Sequence, residues 1–354
     1  RVLFRSIKID ASDLCSLHFT SGTTARPKGV FHSASSLLTS ALEFNKAVSM
    51  NHTDRIYHIF SMAYMAGFLN TLICPFLAGG CVVLGKPFTA RTALTFWKPI
   101  INNQVNRLWL VPSILQMLLK IDRSQEGKDW SKTSISSVLV GTAPLSKKVK
   151  LAFQERYATT VLESYGLSEC LFIASNSLEN DKVESVGQVL NHCKVQIKNG
   201  EIMVQSKSMM RGYLDTETGY PSTVATPFAT GDIGNLKGNF LFVTDRKKDL
   251  IIKGGYNVSP RKIENFLLKH PLLSSATVLG IPNEVYGEEI IAVVEYRNSN
   301  KLSEKDLINY CRNGLASTET PAKFVSEVDL PRNVNGKIDK RKLRKIIVRR
   351  LEAN

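Results

Sequence analysis

The sequence predicts an α/β large domain with a parallel-rich sheet and a small β subdomain, followed by a small α+β C-terminal domain on a hinge. Three observations predict it. Apolar strand-like runs alternate with amphipathic stretches through the first two thirds of the chain. From about Val183 the texture turns to short strands with Gly turns. A compact mixed pattern then follows the charged run DRKKD, Asp245–Asp249. Alternation of strands with helices marks a largely parallel sheet, with ligand loops beyond the carboxyl ends of its strands. At 354 residues the chain exceeds one compact core and suits two domains, set at 1–245 and 246–354.

In chain order, strands are predicted at Leu14–Thr20, Val82–Leu84, Arg107–Val111 and Ser137–Val140, with helices at Ser33–Ala47, Ala90–Asn103, Ser113–Leu119 and Ser146–Arg156. Ile59–Leu84 carries no charged residue and by length alone would span a membrane. Asn70, Pro75 and Gly79-Gly80 interrupt it, so it reads as a buried helix (about 64–78) and a core strand, Cys81–Leu84. Short strands follow at Lys194–Lys198, Glu201–Gln205 and Asn239–Val243. After the hinge run, with Lys248 inside it, come helix Pro260–His270, strands Ser275–Leu279 and Ile290–Tyr296, and helix Ser303–Asn313.

Hydrophobic content of 43% and charge of 22% belong to a folded soluble protein. A net charge of +15 favours anionic partners. The densest basic run, KIDKRKLRKIIVRR (Lys337–Arg350), reads as the solvated face of a terminal helix. No aromatic residue interleaves it, which disfavours specific nucleic-acid binding. Six scattered cysteines, without a CxxC pair, and six scattered histidines give no metal-site spacing. Reduced core thiols and a cytoplasmic setting are expected. The chain starts at Arg1 rather than Met, and an N-terminal portion is expected to be missing.

Thr20–Val30, TSGTTARPKGV, is the first stretch with chemistry in it. Gly22 and Gly29 allow consecutive N–H groups to line a nest for anions; Ser21, Thr23 and Thr24 add hydroxyls, and Lys28 adds a charge. It lacks the GxxxxGK[ST] spacing of a Walker A loop, and by itself an ordinary polar turn explains it as well.

The run closely resembles the phosphate loop of the adenylate-forming superfamily, which includes acyl-CoA synthetases, peptide-synthetase adenylation domains and luciferases. Further stretches match in order: GTAPL (Gly141–Leu145), ESYGLSE (Glu163–Glu169), GEIMVQSKSMMRGY (Gly200–Tyr213), ATGD (Ala229–Asp232), DRKKDLIIKGGYNVSPRKIE (Asp245–Glu264) and NGKIDKRKL (Asn335–Leu343). The resemblance covers nearly the whole chain. It implies that Thr20, Ser21, Gly22, Thr23, Thr24 and Lys28 enfold the ATP β- and γ-phosphates. Gly141, Thr142, Ala143 and Pro144, with Ser164, Tyr165 and Gly166, frame the adenine, and Tyr165 stacks on it. Ser168, where the family usually has Thr, contacts the α-phosphate. Glu169 holds Mg2+, Asp232 accepts from the ribose hydroxyls, and Arg246 supports ribose or phosphate. Lys337 bridges carboxylate and α-phosphate, although without the neighbouring motifs it would read as a solvated tail lysine.

By the same resemblance the small domain swings about Lys248 and presents Lys253, Gly254, Gly255 and Tyr256 to the pantetheine arm of a thiol. Tyr64, Met65 and Gly67 are expected beside the acyl site, with Val140 and Gly141 as further walls; plain core packing is the alternative for the apolar members. No Asp lies in Ala63-Tyr64-Met65 to hold an amine, so an uncharged organic acid is expected rather than an amino acid. Ala25 departs from the usual Gly and is expected to tune phosphate binding. The implied activity is ATP-dependent acyl-adenylate formation followed by transfer to CoA. The rivals are transfer to a carrier protein's phosphopantetheine and a degenerate nucleotide-binding homologue. A nucleic-acid-binding protein rests on charge alone.

Overall fold

The computed structural model describes residues 10–20, 27–298, 300–326, 330–331 and 338–352. Ser21, Gly22, Thr23, Thr24, Ala25 and Lys337, named above, lie outside the described residues. Two compact units divide the chain: residues 1–230 with 235–242, and residues 231–234 with 243–354. Among the described residues no helix is long and apolar enough to cross a membrane.

The first unit opens with β1 (Leu14–Thr20) and β2 (Lys28–Ser33), paired antiparallel, and α1 (Ala34–Ala47), N-capped by Ser33. Leu14–Thr20 therefore does not join the parallel sheet as the alternation suggested; with β2 and Gly212–Tyr213 it forms a separate three-stranded sheet. The parallel set is β3 (Arg55–His58), β4 (Cys81–Leu84), β5 (Arg107–Leu110), β6 (Ser137–Val140) and the start of β7 (Val161–Leu167), in spatial order β4-β3-β5-β6-β7. Successive side chains leave opposite faces of a strand, and both faces here are apolar. Leu108, Leu110, Val138, Val140 and Val161 pack on one side with Trp97, Leu115 and Phe153. Ile56, Trp109, Leu139 and Leu162 pack on the other with Leu37, Phe44, Leu69 and Phe172.

Two helices differ from expectation. The run about 64–78 is a π-helix, Ala66–Ile73, leading into α2 (Cys74–Leu77). Thr71 Oγ1 donates to the Gly67 carbonyl at 3.1 Å, and Pro75 has no N–H; both loosen the ordinary i→i−4 ladder. Ala90–Asn103 splits into α3 (Ala90–Ala93) and α4 (Trp97–Asn102). Restarting at Trp97 puts Pro99 in a first turn, where its missing N–H costs no hydrogen bond. α5 (Pro112–Ile121), α6 (Gln125–Ser134) and α7 (Lys147–Tyr157) complete the helices of this unit.

Halfway along, β7 changes partner. Val161–Glu163 run parallel to β6, while Ser164–Leu167 run antiparallel to β8 (Leu171–Ser175). Beyond β8 the sheet continues through β9 (Gln188–Val189) to β14 (Phe240–Arg246), β13 (Phe228–Lys237), β11 (Glu201–Ser206) and β10 (Cys193–Lys198), giving eleven strands. The short Gly-turn strands thus extend the large sheet. β12 (Gly212–Tyr213) leaves it to pair with β2.

In the second unit β15 (Ile251–Lys253), β16 (Tyr256–Val258), β17 (Leu273–Asn283), β18 (Gly287–Tyr296) and β19 (Lys323–Val325) form a sheet of five strands. Ile290, Ala292 and Val294 of β18 face a core shared with Ile263 of α8 (Pro260–Leu267) and Leu307 of α9 (Glu304–Arg312). Ile291 and Val293 face the other way, onto Leu343 and Ile347 of α10 (Lys340–Glu352). Lys340–Arg350 of the basic run therefore lie on a docked helix. All six cysteines are free; Cys74, Cys170, Cys193 and Cys311 are buried as expected, whereas Cys15 is exposed.

Candidate functional site

The partner change in β7 creates the first cluster. β6 ends at Val140, so Gly141–Pro144 leave the sheet beside Ser164–Gly166, where β7 has turned to β8. Ser164 Oγ donates to the Val140 carbonyl at 3.3 Å, and Gly141 lies against Ser164. Thr142 takes φ +69°, and its side chain hydrogen-bonds the half-buried Tyr64 hydroxyl. Burial pushes the Tyr64 phenol above its ordinary value. Tyr165 is half-buried opposite Ala174. A Cβ on Gly166 would sit 2.2 Å from the Leu171 carbonyl, so the register shift there requires glycine. Gly141, Thr142, Ser164, Gly166 and Tyr64 are thus neighbours. Met65 and Gly67 are buried, and Met65 belongs to the core with Leu69 and Trp109, the packing alternative for its place.

The second cluster is the turn Ser168–Glu169. His32 Nε2 lies 2.6 Å from the Ser168 carbonyl, Met210 N–H donates to the Glu169 carbonyl at 2.8 Å, and the Tyr213 hydroxyl is 3.0 Å from Glu169 Oε1. Burial pushes the His32 imidazole down to about 4. The ring is therefore neutral and its Nε2–H donates to the carbonyl. Burial and the Glu169 charge raise the Tyr213 phenol, which keeps its proton and donates. Both anchors come from the β2–β12 pairing, where Tyr213 sits opposite Val30 and Arg211 N–H donates to the Phe31 carbonyl at 2.8 Å. Lys28 begins β2, and its Nζ lies 4.9 Å from the centre of the Tyr213 ring. Thr20 and Lys28 are the last register pair of β1 and β2, so the ends of the phosphate-loop motif meet here. Neither His32 nor Tyr213 had a role in the sequence reading.

A buried lysine lies behind the first cluster. Lys150 is fully buried, with Nζ 2.7 Å from Asp181 and 3.7 Å from Glu163, the residue before Ser164. Paired charges make such burial tolerable and fix the strand at its partner change.

The remaining candidates lie in the second unit. Asp232 is buried and receives Arg246 Nε at 2.7 Å on Oδ1. Desolvation lowers the Lys248 amine, opposed by Asp249. Lys253–Tyr256 join β15 to β16 through Gly254 (φ +58°) and Gly255 (φ +83°), a two-residue hairpin turn that only glycine-like residues accept readily. Lys253 pairs with Glu289 at 2.6 Å, and Tyr256 is exposed.

Comparison with known proteins matches residues 4–214 to the AMP-binding enzyme family and residues 262–337 to the AMP-binding enzyme C-terminal domain. A sulfoacetate–CoA ligase of Cupriavidus necator is 29% identical over an alignment of 347 positions that covers 92% of this chain and 66% of that protein. The chain thus spans about two thirds of the length of such relatives. ATP-bound MatB from Rhodopseudomonas palustris superposes with a TM-score of 0.87 at 26% identity, covering 97% of this chain and 70% of that one. The o-succinylbenzoate CoA synthetase of Bacillus subtilis, in complex with its acyl-adenylate, gives 0.80 at 29% identity, covering 94% of this chain and 69% of that one. With the first match alone extending over more than half of its residues, the chain belongs to the AMP-binding enzyme family.

Proposed function

We propose that the protein is an ATP-dependent acid–thiol ligase. A carboxylate attacks the α-phosphorus of ATP to give acyl-AMP and pyrophosphate, and the CoA thiol then attacks the acyl carbonyl to give acyl-CoA and AMP. The observation that carries this reading is the convergence of Lys28, Ser168–Glu169 and Tyr213, from three separate motifs, at the β2–β12 pairing. A cation, a carboxylate and the two ends of a hydroxyl- and glycine-rich loop there suit a metal–triphosphate. Relatives named as CoA ligases support the choice of acceptor.

In this reading Thr20, Ser21, Gly22, Thr23, Thr24 and Lys28 hold the departing β- and γ-phosphates, and Ser168 contacts the α-phosphate. Glu169 holds Mg2+. A lone positioned carboxylate fits an ion that takes most of its other ligands from phosphates and water, and among the described residues no cluster of three or more His, Cys, Asp or Glu offers a cage. Bound Mg2+ neutralises phosphate charge. Gly141–Pro144 and Ser164–Gly166 receive adenine with Tyr165 stacked on it, Asp232 takes the ribose hydroxyls and Arg246 orients Asp232. Tyr64 borders the acyl group. Two anions must approach each other in the first step, so its barrier is largely electrostatic, and Lys337 lowers it by aiming a cation between them. Lys248 is the hinge, and Lys253–Tyr256 serve the thiol step.

The test is acid-dependent ATP–pyrophosphate exchange across short, branched, aromatic, dicarboxylic and amino acids, then thioester formation with CoA or a holo carrier protein. Exchange with an acid lacking an amino group is expected, CoA is the expected acceptor, and Lys337→Ala removes most of the exchange. Normal exchange in that variant would sink the role of Lys337, and transfer to the carrier protein alone would replace CoA.

A further inference from the structure

We infer that Tyr213 is a positioning residue that holds the Glu169 carboxylate in place for a nucleotide-bound divalent cation. The inference rests on the functional reading above. A glutamate side chain has three rotatable bonds, and an unrestrained carboxylate must lose that freedom when it takes a metal. Tyr213 removes much of it beforehand by donating to Oε1 at 3.0 Å, which leaves Oε2 for the cation. The phenol is itself fixed. Gly212 and Tyr213 pair with Phe31 and Val30, and Leu214 N–H donates to the Gly29 carbonyl at 2.7 Å. The backbone of the turn is tied to the segment just before β12, through Met210 N–H and the Glu169 carbonyl.

The ring of the same residue meets a charge of the phosphate motif. Lys28 Nζ lies 4.9 Å from the ring centre, within the range of a cation–π contact. Tyr213 therefore touches both groups through which a metal–triphosphate would be gripped, with its hydroxyl on one and its ring near the other. Partners that orient a metal-binding carboxylate change metal affinity by about 10–100-fold when removed. Tyr213→Phe takes away the hydroxyl while keeping the ring, and so separates the two contacts.

The experiment measures Mn2+ binding by electron paramagnetic resonance in the presence of α,β-methylene ATP, together with the Mg2+ dependence of pyrophosphate exchange. In Tyr213→Phe the ternary Mn2+ affinity is expected to fall about tenfold, and the Mg2+ needed for half-maximal exchange to rise by a similar factor. The KM for the acid stays unchanged. In a Glu169→Gln background the same substitution changes Mn2+ affinity less than about twofold, because the phenol acts through that carboxylate. Equal Mn2+ affinity in Tyr213→Phe and the unaltered protein overturns the inference. So does an equal loss in both backgrounds, or a Tyr213→Phe protein that fails to fold, since each makes the hydroxyl a structural group. Absence of both exchange and Mn2+–nucleotide binding in the unaltered protein overturns the functional reading and this inference with it.

Discussion

The Ser168–Glu169 turn and the Lys253–Tyr256 turn are both short, polar and motif-bearing, yet different forces hold them. The first is gripped by His32 of β2, by Tyr213 of β12 and by Met210 just before it, residues far from it in sequence. The second takes its shape from two glycines with positive φ between paired strands, with Gly254 N–H on the Tyr286 carbonyl at 2.8 Å and Lys253 on Glu289 as its tertiary ties. A turn held by tertiary ties is sensitive to distant substitutions and to the protonation of its anchors. A turn shaped by backbone geometry is most sensitive to its own residues.

The largest loss of activity is expected at the first turn. Glu169→Gln keeps the size and the Tyr213 contact but removes the charge, and pyrophosphate exchange is expected to fall on the order of 10²-fold, the scale of losing one aimed electrostatic partner. A change of less than about threefold in steady-state exchange would remove Glu169 from the site.

Acid acts on the same turn through His32. The folded His32 is pushed down to about 4 from 6.5. Between these values the unfolded chain binds a proton that the folded chain does not, so this group's contribution is present above pH 6.5 and is lost as pH falls towards 4. The full loss is about 3 kcal/mol. Urea midpoints at pH 7 and pH 4.5 should converge in His32→Gln relative to the unaltered protein; equal pH dependence would contradict the assignment. Gly255→Ala is the smallest expected effect. The methyl group meets open space but a φ of +83°, so unfolding of the second unit should ease by about 1 kcal/mol. No measurable change would mean that the turn relaxes freely.

Strands β4, β5 and β6 were legible because both of their faces are apolar, which leaves runs such as Val138–Val140, whereas β3, RIYH, has only two apolar residues and was missed. β7 was not, because ESYGL mixes polar residues into a strand that changes partner at Ser164. Leu14–Thr20 was legible as a strand but not as part of a second sheet, since pairing partners leave no local trace. Among site residues, the same limit hid His32 and Tyr213. Their roles depend on β2 meeting β12, which brings Val30 opposite Tyr213. Gly254-Gly255 had a local signal for a hairpin turn, although the family resemblance drew attention to close thiol approach instead. Met65 lay in a stretch apolar on all sides, where core and pocket walls look alike, and its side chain joins the core.

In the proposed reaction the α-phosphate stays on the acid while pyrophosphate leaves. Carboxylate doubly labelled with 18O, supplied with ATP and CoA, tests it most directly. Adenylation followed by thiolysis leaves one acid oxygen on the phosphate of AMP, so mass spectrometry should find AMP carrying a single 18O and unlabelled pyrophosphate. Label in inorganic phosphate, with ADP as the nucleotide product, would contradict the account.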